Sequence, residues 1–588
     1  MEKAKLPLQG QAGRISPRSA YNQPVVANHF SFRSCLFAPL LTGAVLSCFA
    51  GITAIAQAPA PALFSSAGQP KADSPNAVGP KADSLGAAGA KAVRPNAVGR
   101  ILLVLPFDNR SGQPSLEWVR EASAELLESR FASAGFAPMS RADRLYALDH
   151  LGLPQGFQPS RASSLKLAQT LDADAIVVGS FRTEGNELIA EAQLVDVPHL
   201  HMSAPVSTRG QMQKMVDIVD ALAWMLTRQL DPSFSIPEET FVAAGRDLRL
   251  DAFEQYIHGI TEPDQQERQR HLEQAVKLSP GYSPAWMALG RDGYNGQHYE
   301  EAAAAFARVS PNSPDALEAG FYRGISLIFS GDYPRAEAAF AGVAKIMPLA
   351  EVLNNQGVAM ARHNQDPTAL FRQAVAADPN NADYHFNLAL SLKRHGNAAE
   401  AQTELAQCLK LRSTDAEAQD LEEQWKKPSG GQIEPLERII RSFDAAAFRQ
   451  ATQLMNQMEA AKLEALDPHE KALRLAAQGA EALDHGLLLD AERLYQAAAA
   501  NDNQAAVVNA GLAAVREQSG DAQTARKEAR LSLELMPSPE AYLVLARLDL
   551  AAGHSADAAE SVNKALAIDA SNRTAQDLRQ QIAAKGGK

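Results

Sequence analysis

The sequence predicts a multidomain chain: a small α/β domain with a mixed sheet in two or three layers, then an all-α repeat solenoid in two blocks. Three observations carry this expectation. A spaced pattern of small residue, alanine and bulky residue recurs every 31 to 34 residues from about Gly259 onward. Short apolar runs alternate with amphipathic ones between residues 100 and 232. The chain is 588 residues long, more than a single hydrophobic core organises.

The repeat is the strongest of the three. Gly290, Ala302 and Phe306 set it, and Gly324, Ala336 and Phe340 restate it 34 residues on. Ala389, Ala401 and Leu405 follow, then Gly479, Ala491 and Tyr495, then Ala546, Ala558 and Val562. Gly331-Asp332, Gly396-Asn397 and Gly520-Asp521 mark turns between helices, and Pro280, Pro314, Pro348, Pro379 and Pro537 close units. Two helices of one unit cross closely only where side chains are small, so Gly or Ala is expected to face Ala. The bulky residue four positions on is expected to fill the gap to the next unit. Five units fall between about residues 252 and 412 and three between about 471 and 572. The first (Gly259, Ala275, Pro280) and the fourth (Gly357, Ala369, Phe371, Pro379) are looser. Arrays of this period stack supersecondary units and bind other chains along their grooves.

With its Ala285-Trp286, Leu289-Gly290, Ala302, Phe306 and Pro314, the second unit resembles a tetratricopeptide repeat. That resemblance implies paired antiparallel helices whose first members line a concave, partner-binding groove.

Composition narrows the function classes. The formal net charge is −12 without a basic block, which argues against a nucleic-acid surface. The three cysteines, Cys35, Cys48 and Cys408, offer neither metal spacing nor a disulfide framework. Cys408 takes a small-residue packing position, so a buried thiol is expected there.

The N-terminus has the pattern of an export leader. Arg14, Arg18 and Arg33 precede an uncharged stretch from Ser34 to Pro70 whose apolar part runs from Cys35 to about Ile55. Ala54-Ile55-Ala56 places small residues for cleavage before Gln57, making residues 1–56 a signal peptide. Two alternatives stay open: an uncleaved anchor, and lipidation at Cys48, since Val45-Leu46-Ser47-Cys48 resembles a bacterial lipobox. Residues 57–99 contain three ten-residue units, starting at Pro70, Pro80 and Ala90, too poor in apolar surface to offset ordering entropy. A disordered tether is expected there.

Between residues 100 and 232 the expected elements run in order. Ile101 to Leu105 suits a strand buried on both faces, and Pro106 to Gly112 is turn chemistry. Ser115 to Ala134 suits an amphipathic helix, and Phe136 to Met139 a second strand. Helices follow near Arg141 to Leu151 and Ala162 to Leu171, then a strand from Ala173 to Phe181. A turn at Glu184-Gly185-Asn186-Glu187 leads into a strand with alternating Leu188, Ala190, Ala192 and Leu194, and Gln211 to Leu230 closes the domain as a helix. Three or four strands with flanking helices make a small layered fold. Val104-Leu105-Pro106-Phe107, Asn109, Ser111-Gly112, Ala173-Asp174 and Gln193-Leu194-Val195-Asp196 resemble the TolB N-terminal-like domain. The resemblance covers about residues 99–232 and implies envelope association or a part in multiprotein assembly rather than a reaction.

Asp108-Asn109 could hold a cation or phosphate, but without a glycine-rich cradle turn capping fits better. His199 and His201 would share a face on a strand, yet no further donor completes a metal set, so two solvated loop histidines are expected. Glu300-Glu301 and Glu422-Glu423 suit solvated helical faces. No catalytic constellation, cofactor site or metal site is expected.

The array gives a sharper lead. Asn355 and Asn387 sit at one repeat position, two residues before Gly357 and Ala389, and Arg362 and Arg394 sit together five residues after them. All four are expected on the groove, with the two amides solvated in the free state. There the amides would bond an extended peptide's main chain and the guanidinium groups would attract a carboxylate. The alternative is that Asn387 is a tolerated polar face residue. Residues 428–468 separate the blocks, 233–427 and 469–588. Lys427-Pro428-Ser429-Gly430-Gly431 suits a hinge, after which Leu436, Ile439, Ile440, Phe443 and Phe448 regain helical patterning, so a packed connector also stays open.

The expected function is that of an exported, periplasmic or lipid-anchored, non-enzymatic scaffold for protein or peptide partners. Two rivals stand beside it: an envelope hydrolase or transferase with a substrate-guiding array, and a cytoplasmic signalling regulator.

Overall fold

The computed structural model describes residues 99–154, 160–426 and 435–586. The expected leader and tether, with Cys35 and Cys48, lie outside the described residues, as does the stretch Pro428 to Gly431.

The first domain is a mixed sheet between two helical layers. Its strands are β1 (Ile101–Val104), β2 (Asp108–Asn109), β3 (Ala137–Pro138), β4 (Ala175–Glu184), β5 (Glu187–Asp196), β6 (His201–Met202) and β7 (Val206–Gln211). β1 lies parallel between β3 and β4, and β4 turns back antiparallel into β5. β2 extends the edge along β4, while β6 and β7 both pair antiparallel with β5. Sequence patterning found four of these strands. β2 lies inside the expected turn, and β6 and β7 are too short or too polar to announce themselves. Their strand conformation is imposed by the free edge of β5.

Alternation along β1 assigns the two faces. Leu102 and Val104 turn toward helices α1 (Trp118–Ser133) and α4 (Met215–Leu230), meeting Val119, Leu127, Phe131, Val219 and Leu222. Leu103 and Leu105 turn toward α2 (Arg141–His150) and α3 (Arg161–Thr170), meeting Ala147, Leu148, Leu167 and Leu171. A capping box at Ser140 and Asp143 starts α2. Helix α5 (Glu238–Ala243), which the sequence reading did not mark, leads into the array.

The solenoid follows as antiparallel helix pairs. The first block comprises α6 (Leu250–Thr261) with α7 (Gln265–Leu278), α8 (Ser283–Asn295) with α9 (Tyr299–Phe306), and α10 (Ala316–Phe329) with α11 (Tyr333–Ile346). It continues with α12 (Ala350–Arg362) and α13 (Thr368–Ala377), α14 (Ala382–Arg394) and α15 (Ala398–Leu411), and a single α16 (Ala416–Lys426). After α17 (Ala445–Glu464), the second block pairs α18 (Pro468–Asp484) with α19 (Leu488–Asn501), α20 (Ala506–Ser519) with α21 (Ala522–Leu535), and α22 (Pro539–Ala551) with α23 (Ser555–Ile568). α24 (Arg573–Gly586) covers the end.

Ala302, Ala336, Ala401, Ala491 and Ala558 are all fully buried, as the spacing predicts. The partner of each glycine differs from expectation. A Cβ on Gly290 would lie 2.5 Å from the Phe306 ring, and one on Gly324 2.6 Å from Phe340. Gly357 and Gly479 stand in the same relation to Phe371 and Tyr495. The glycine therefore makes room for the aromatic ring of its own unit, while Gly293 is the close neighbour of Ala302. In the looser fourth unit Ala369 is exposed. The buried small residue is Thr368, whose hydroxyl bonds Ser391 at 2.7 Å. Cys408 is fully buried, and burial pushes its thiol up to about 11.

The array is not hung from the α/β domain but fused to it. Phe253, Tyr256, Ile257, Leu272 and Ala275 of the first pair share one core with α1 and α4. The second block returns to this junction, where Leu489 of α19 joins the same core. Arg516 donates to Thr240 at 2.8 Å, Ser519 bonds Thr240 at 3.0 Å, and Ser235 donates to Gln496 at 2.6 Å.

Candidate peptide-binding groove

Helices α12 and α14 stand side by side in the first block, and their inner faces carry a polar row: Glu351, Asn354, Asn355 and Arg362 on one, Asp383, Asn387 and Arg394 on the other. The row falls on one line because equivalent positions in adjacent repeats stack. Sequence spacing placed Asn355, Asn387, Arg362 and Arg394 on it. It did not reveal that the line is covered.

Asn354, Asn355 and Asn387 are fully buried, which corrects the expectation that the amides are solvated. They lie beneath residues 435–444 of the same chain, which cross the groove outside any helix or sheet, with a bend at Ser442. The helical patterning expected from Leu436 is thus overturned up to Asp444, and helix α17 starts only at Ala445. Leu436 is 61% exposed, whereas a helix would have turned it inward with Ile439 and Ile440.

Asn387 and Asn355 each grip one residue of this segment by both main-chain groups. The Asn387 amide donates to the Arg438 carbonyl at 2.8 Å, and its oxygen accepts the Arg438 N–H at 2.7 Å. Asn355 does the same to Ile440, at 2.7 Å to the carbonyl and 2.9 Å from the N–H. Residues two apart on an extended chain present both groups to the same side, roughly 7 Å apart. Asparagines on neighbouring repeats therefore read alternate residues. Asn354 ties the pair together, donating to the Arg438 carbonyl at 3.1 Å and accepting from Asn387 at 2.8 Å. Glu351 extends the ladder by accepting the Asp444 N–H at 3.0 Å.

Side chains add charge recognition. Glu437 lies between Arg362 and Arg394, with Arg362 3.6 Å from its carboxylate and also donating to its carbonyl at 3.1 Å, and Arg394 bonded to its other oxygen. Arg438 points the other way into an acidic pocket, bonding Asp415 at 2.6 and 2.8 Å, Asp383 at 2.9 Å and Glu417 at 2.9 Å. Its guanidinium lies 3.6 Å above the Phe386 ring. Burial works against the Arg438 charge, but the bonds to Asp415, Glu417 and Asp383 prevail and raise its pKa further. Burial likewise opposes Asp415 ionisation, and the bonds from Arg438 and the Ala418 N–H outweigh it, so that carboxyl is lowered. Glu351 goes the other way: burial pushes it up to about 7 despite the Asp444 N–H bond.

Apolar contacts complete the seat. Ile440 packs beside Leu353, Ala374 and Tyr384, and Phe443 sits 5.5 Å from Phe321 and 5.7 Å from Phe448. The segment runs from α16 back toward α10, antiparallel to the order of the repeats. Sequence reasoning missed Asn354, Glu351, Asp383 and Asp415. The aligned asparagines were the usable signal, and the acidic pocket had none because its members come from two helices, α14 and α16, and the turn between α15 and α16.

Asn109, His199, His201 and the two glutamate pairs fall outside this site. Asn109 caps its turn by accepting the Ser111 N–H at 3.0 Å. His199 pairs with Asp196 at 2.8 Å and is exposed, and His201 begins β6 rather than lying in a loop. Glu300 and Glu301 are exposed, while Glu422 is half-buried and Glu423 exposed.

A tetratricopeptide repeat profile matches residues 370–403, the stretch holding α14 and Asn387. Among solved structures, the tetratricopeptide protein YrrB, described as having an unusual peptide-binding site, shares 14% identity at a TM-score of 0.26, covering 34% of this chain and 99% of its own. MamA from Desulfovibrio magneticus RS-1 shares 18% identity at a TM-score of 0.25, covering 31% and 100%. The LpoB C-terminal domain from Salmonella enterica shares 21% identity at a TM-score of 0.18, covering 20% and 84%. These likenesses concern fold alone. No curated protein matches the sequence.

Proposed function

We propose that this tetratricopeptide-repeat chain is a non-enzymatic scaffold that holds extended peptide segments of partner proteins in the groove of its first block, and that it works in the cell envelope after export. One observation carries the binding part. Asn355 and Asn387, on adjacent repeats, each bond both main-chain groups of alternate residues in an extended segment. Such bonds give affinity for any extended chain, and the flanking charges give preference. A photo-crosslinking residue in place of Arg394, at the groove mouth, should trap an envelope protein in cells. One in place of Ser207, exposed on β7, should not. The reverse pattern would move the partner site to the α/β domain and leave the array as a spacer.

The envelope placement rests on the leader pattern from Arg14 to Ala56. In this reading cleavage after Ala56 yields a mature chain starting at Gln57, which N-terminal sequencing of envelope material checks. A lipid-modified Cys48 would make the protein membrane-anchored, in keeping with the lipobox resemblance. A full-length cytoplasmic chain would sink both versions.

A further inference from the structure

We propose that residues 435–444 are a built-in competitor for the groove, and that the partner is an extended peptide whose acid–base pair takes the places of Glu437 and Arg438 and displaces them. The inference rests on the groove reading above and adds two things to it: what the partner looks like and how its access is controlled.

The partner's chemistry is written in the seat. One carboxylate fits between Arg362 and Arg394, where Glu437 sits. The next residue is cationic, because Asp383, Asp415 and Glu417 converge on Arg438. Two residues later an aliphatic side chain fits beside Leu353, Ala374 and Tyr384, where Ile440 packs. The main chain between them is read by Asn387 and Asn355 without regard to side chain. A peptide of the type acid–base–any–aliphatic, in extended form, reproduces the contacts of Glu437, Arg438 and Ile440 with the arginines, the acidic pocket and the two asparagines.

Displacement is favoured by how the segment is built. It has no helix or sheet bonds of its own, so its order derives from the groove and the packing around it. Its main-chain bonds to Asn355, Asn387 and Glu351 are replaceable one for one by a competing backbone, while Ile440 and Phe443 add the apolar part of its hold. Leu436 stays largely exposed and contributes little anchorage. Because the segment is tethered, it competes at an effective concentration on the order of millimolar. A free peptide then meets an open groove only in the fraction of molecules whose segment has left, and its apparent affinity falls by that fraction.

The test uses a fluorescent synthetic peptide with the sequence of residues 435–444 and the full chain. Reversing both charges in the segment, Glu437→Lys with Arg438→Glu, sets like charges against the groove without altering the groove itself. This variant should bind the peptide at least about tenfold more tightly than the parent. Adding Asn355→Ala and Asn387→Ala to it should remove that binding. Equal affinity in parent and reversed variant, still dependent on the two asparagines, would overturn the competitor role while leaving the groove as a peptide site. Binding by neither would overturn the groove reading itself. Should the reversed variant fail to fold, hydrogen exchange on the parent decides: saturating peptide should speed exchange of the Arg438 and Ile440 amides. Unchanged rates with peptide bound would refute displacement.

Discussion

Asn387 holds Arg438 by both of its main-chain polar groups, at 2.8 Å to the carbonyl and 2.7 Å from the N–H, although the two residues lie 51 positions apart. The same pair of hydrogen bonds joins Asn355 to Ile440 across 85 positions. The amides thus do structural work in the free protein.

Replacing Asn355 and Asn387 together by Ala should destabilise the first block. Asn355→Ala strands the Ile440 N–H and carbonyl and Asn387→Ala strands the Arg438 N–H, while Asn354 keeps its bond to the Arg438 carbonyl, a cost of about 1–3 kcal/mol per site. The melting temperature should drop measurably, and proteolysis within 435–444 should accelerate. This reverses what solvated amides would give. An unchanged melt would mean the segment is not held by these bonds.

Ala336 is fully buried against its partner helix. Adding a Leu side chain there should overpack the contact and cost about 1–3 kcal/mol. Denaturant unfolding of Ala336→Leu measures it, and stability equal to the parent would refute the register of the repeat.

Glu351 gives a pH dependence whose sign is fixed by burial. Its carboxyl is pushed from 4.5 to about 7 in the folded chain. Below pH 4.5 folded and unfolded chains both carry the proton and the group's contribution is whole. As pH rises toward about 7 the unfolded chain binds fewer protons than the folded one, so stability falls, and the loss is complete above that. The span is worth about 3 kcal/mol at most. Glu351→Gln should flatten the stability profile between pH 4.5 and 7 relative to the parent. Parallel profiles for the two proteins would contradict the assignment.

Arg516 joins the second block to the domain junction, bonding the fully buried Glu492 at 2.5 Å and Thr240 at 2.8 Å. Burial already pushes the Glu492 carboxyl upward. Arg516→Met would strand that carboxylate, a loss of about 3–5 kcal/mol in comparable buried pairs. Limited proteolysis near residues 235–249 should then quicken while the helical signal changes little. Proteolysis at the parent rate would show that the apolar contact through Leu489 suffices to dock the block.

Local spacing by itself determined much of this protein. The repeat period, the buried alanines and the alignment of Asn355 with Asn387 all follow from side-chain periodicity within a helix pair, which sequence records directly. The strands of the first domain that carry long apolar runs were legible for the same reason, while β6 and β7 take their form from the edge of β5. Only the tertiary structure decided what fills the groove. Leu436, Ile439, Ile440 and Phe443 have the spacing of an amphipathic helix, i, i+3, i+4 and i+7, and nothing local contradicts it. The segment is extended because buried amides and carboxylates 51 to 93 residues away bond its main chain, and a helix would have used those same N–H and carbonyl groups internally.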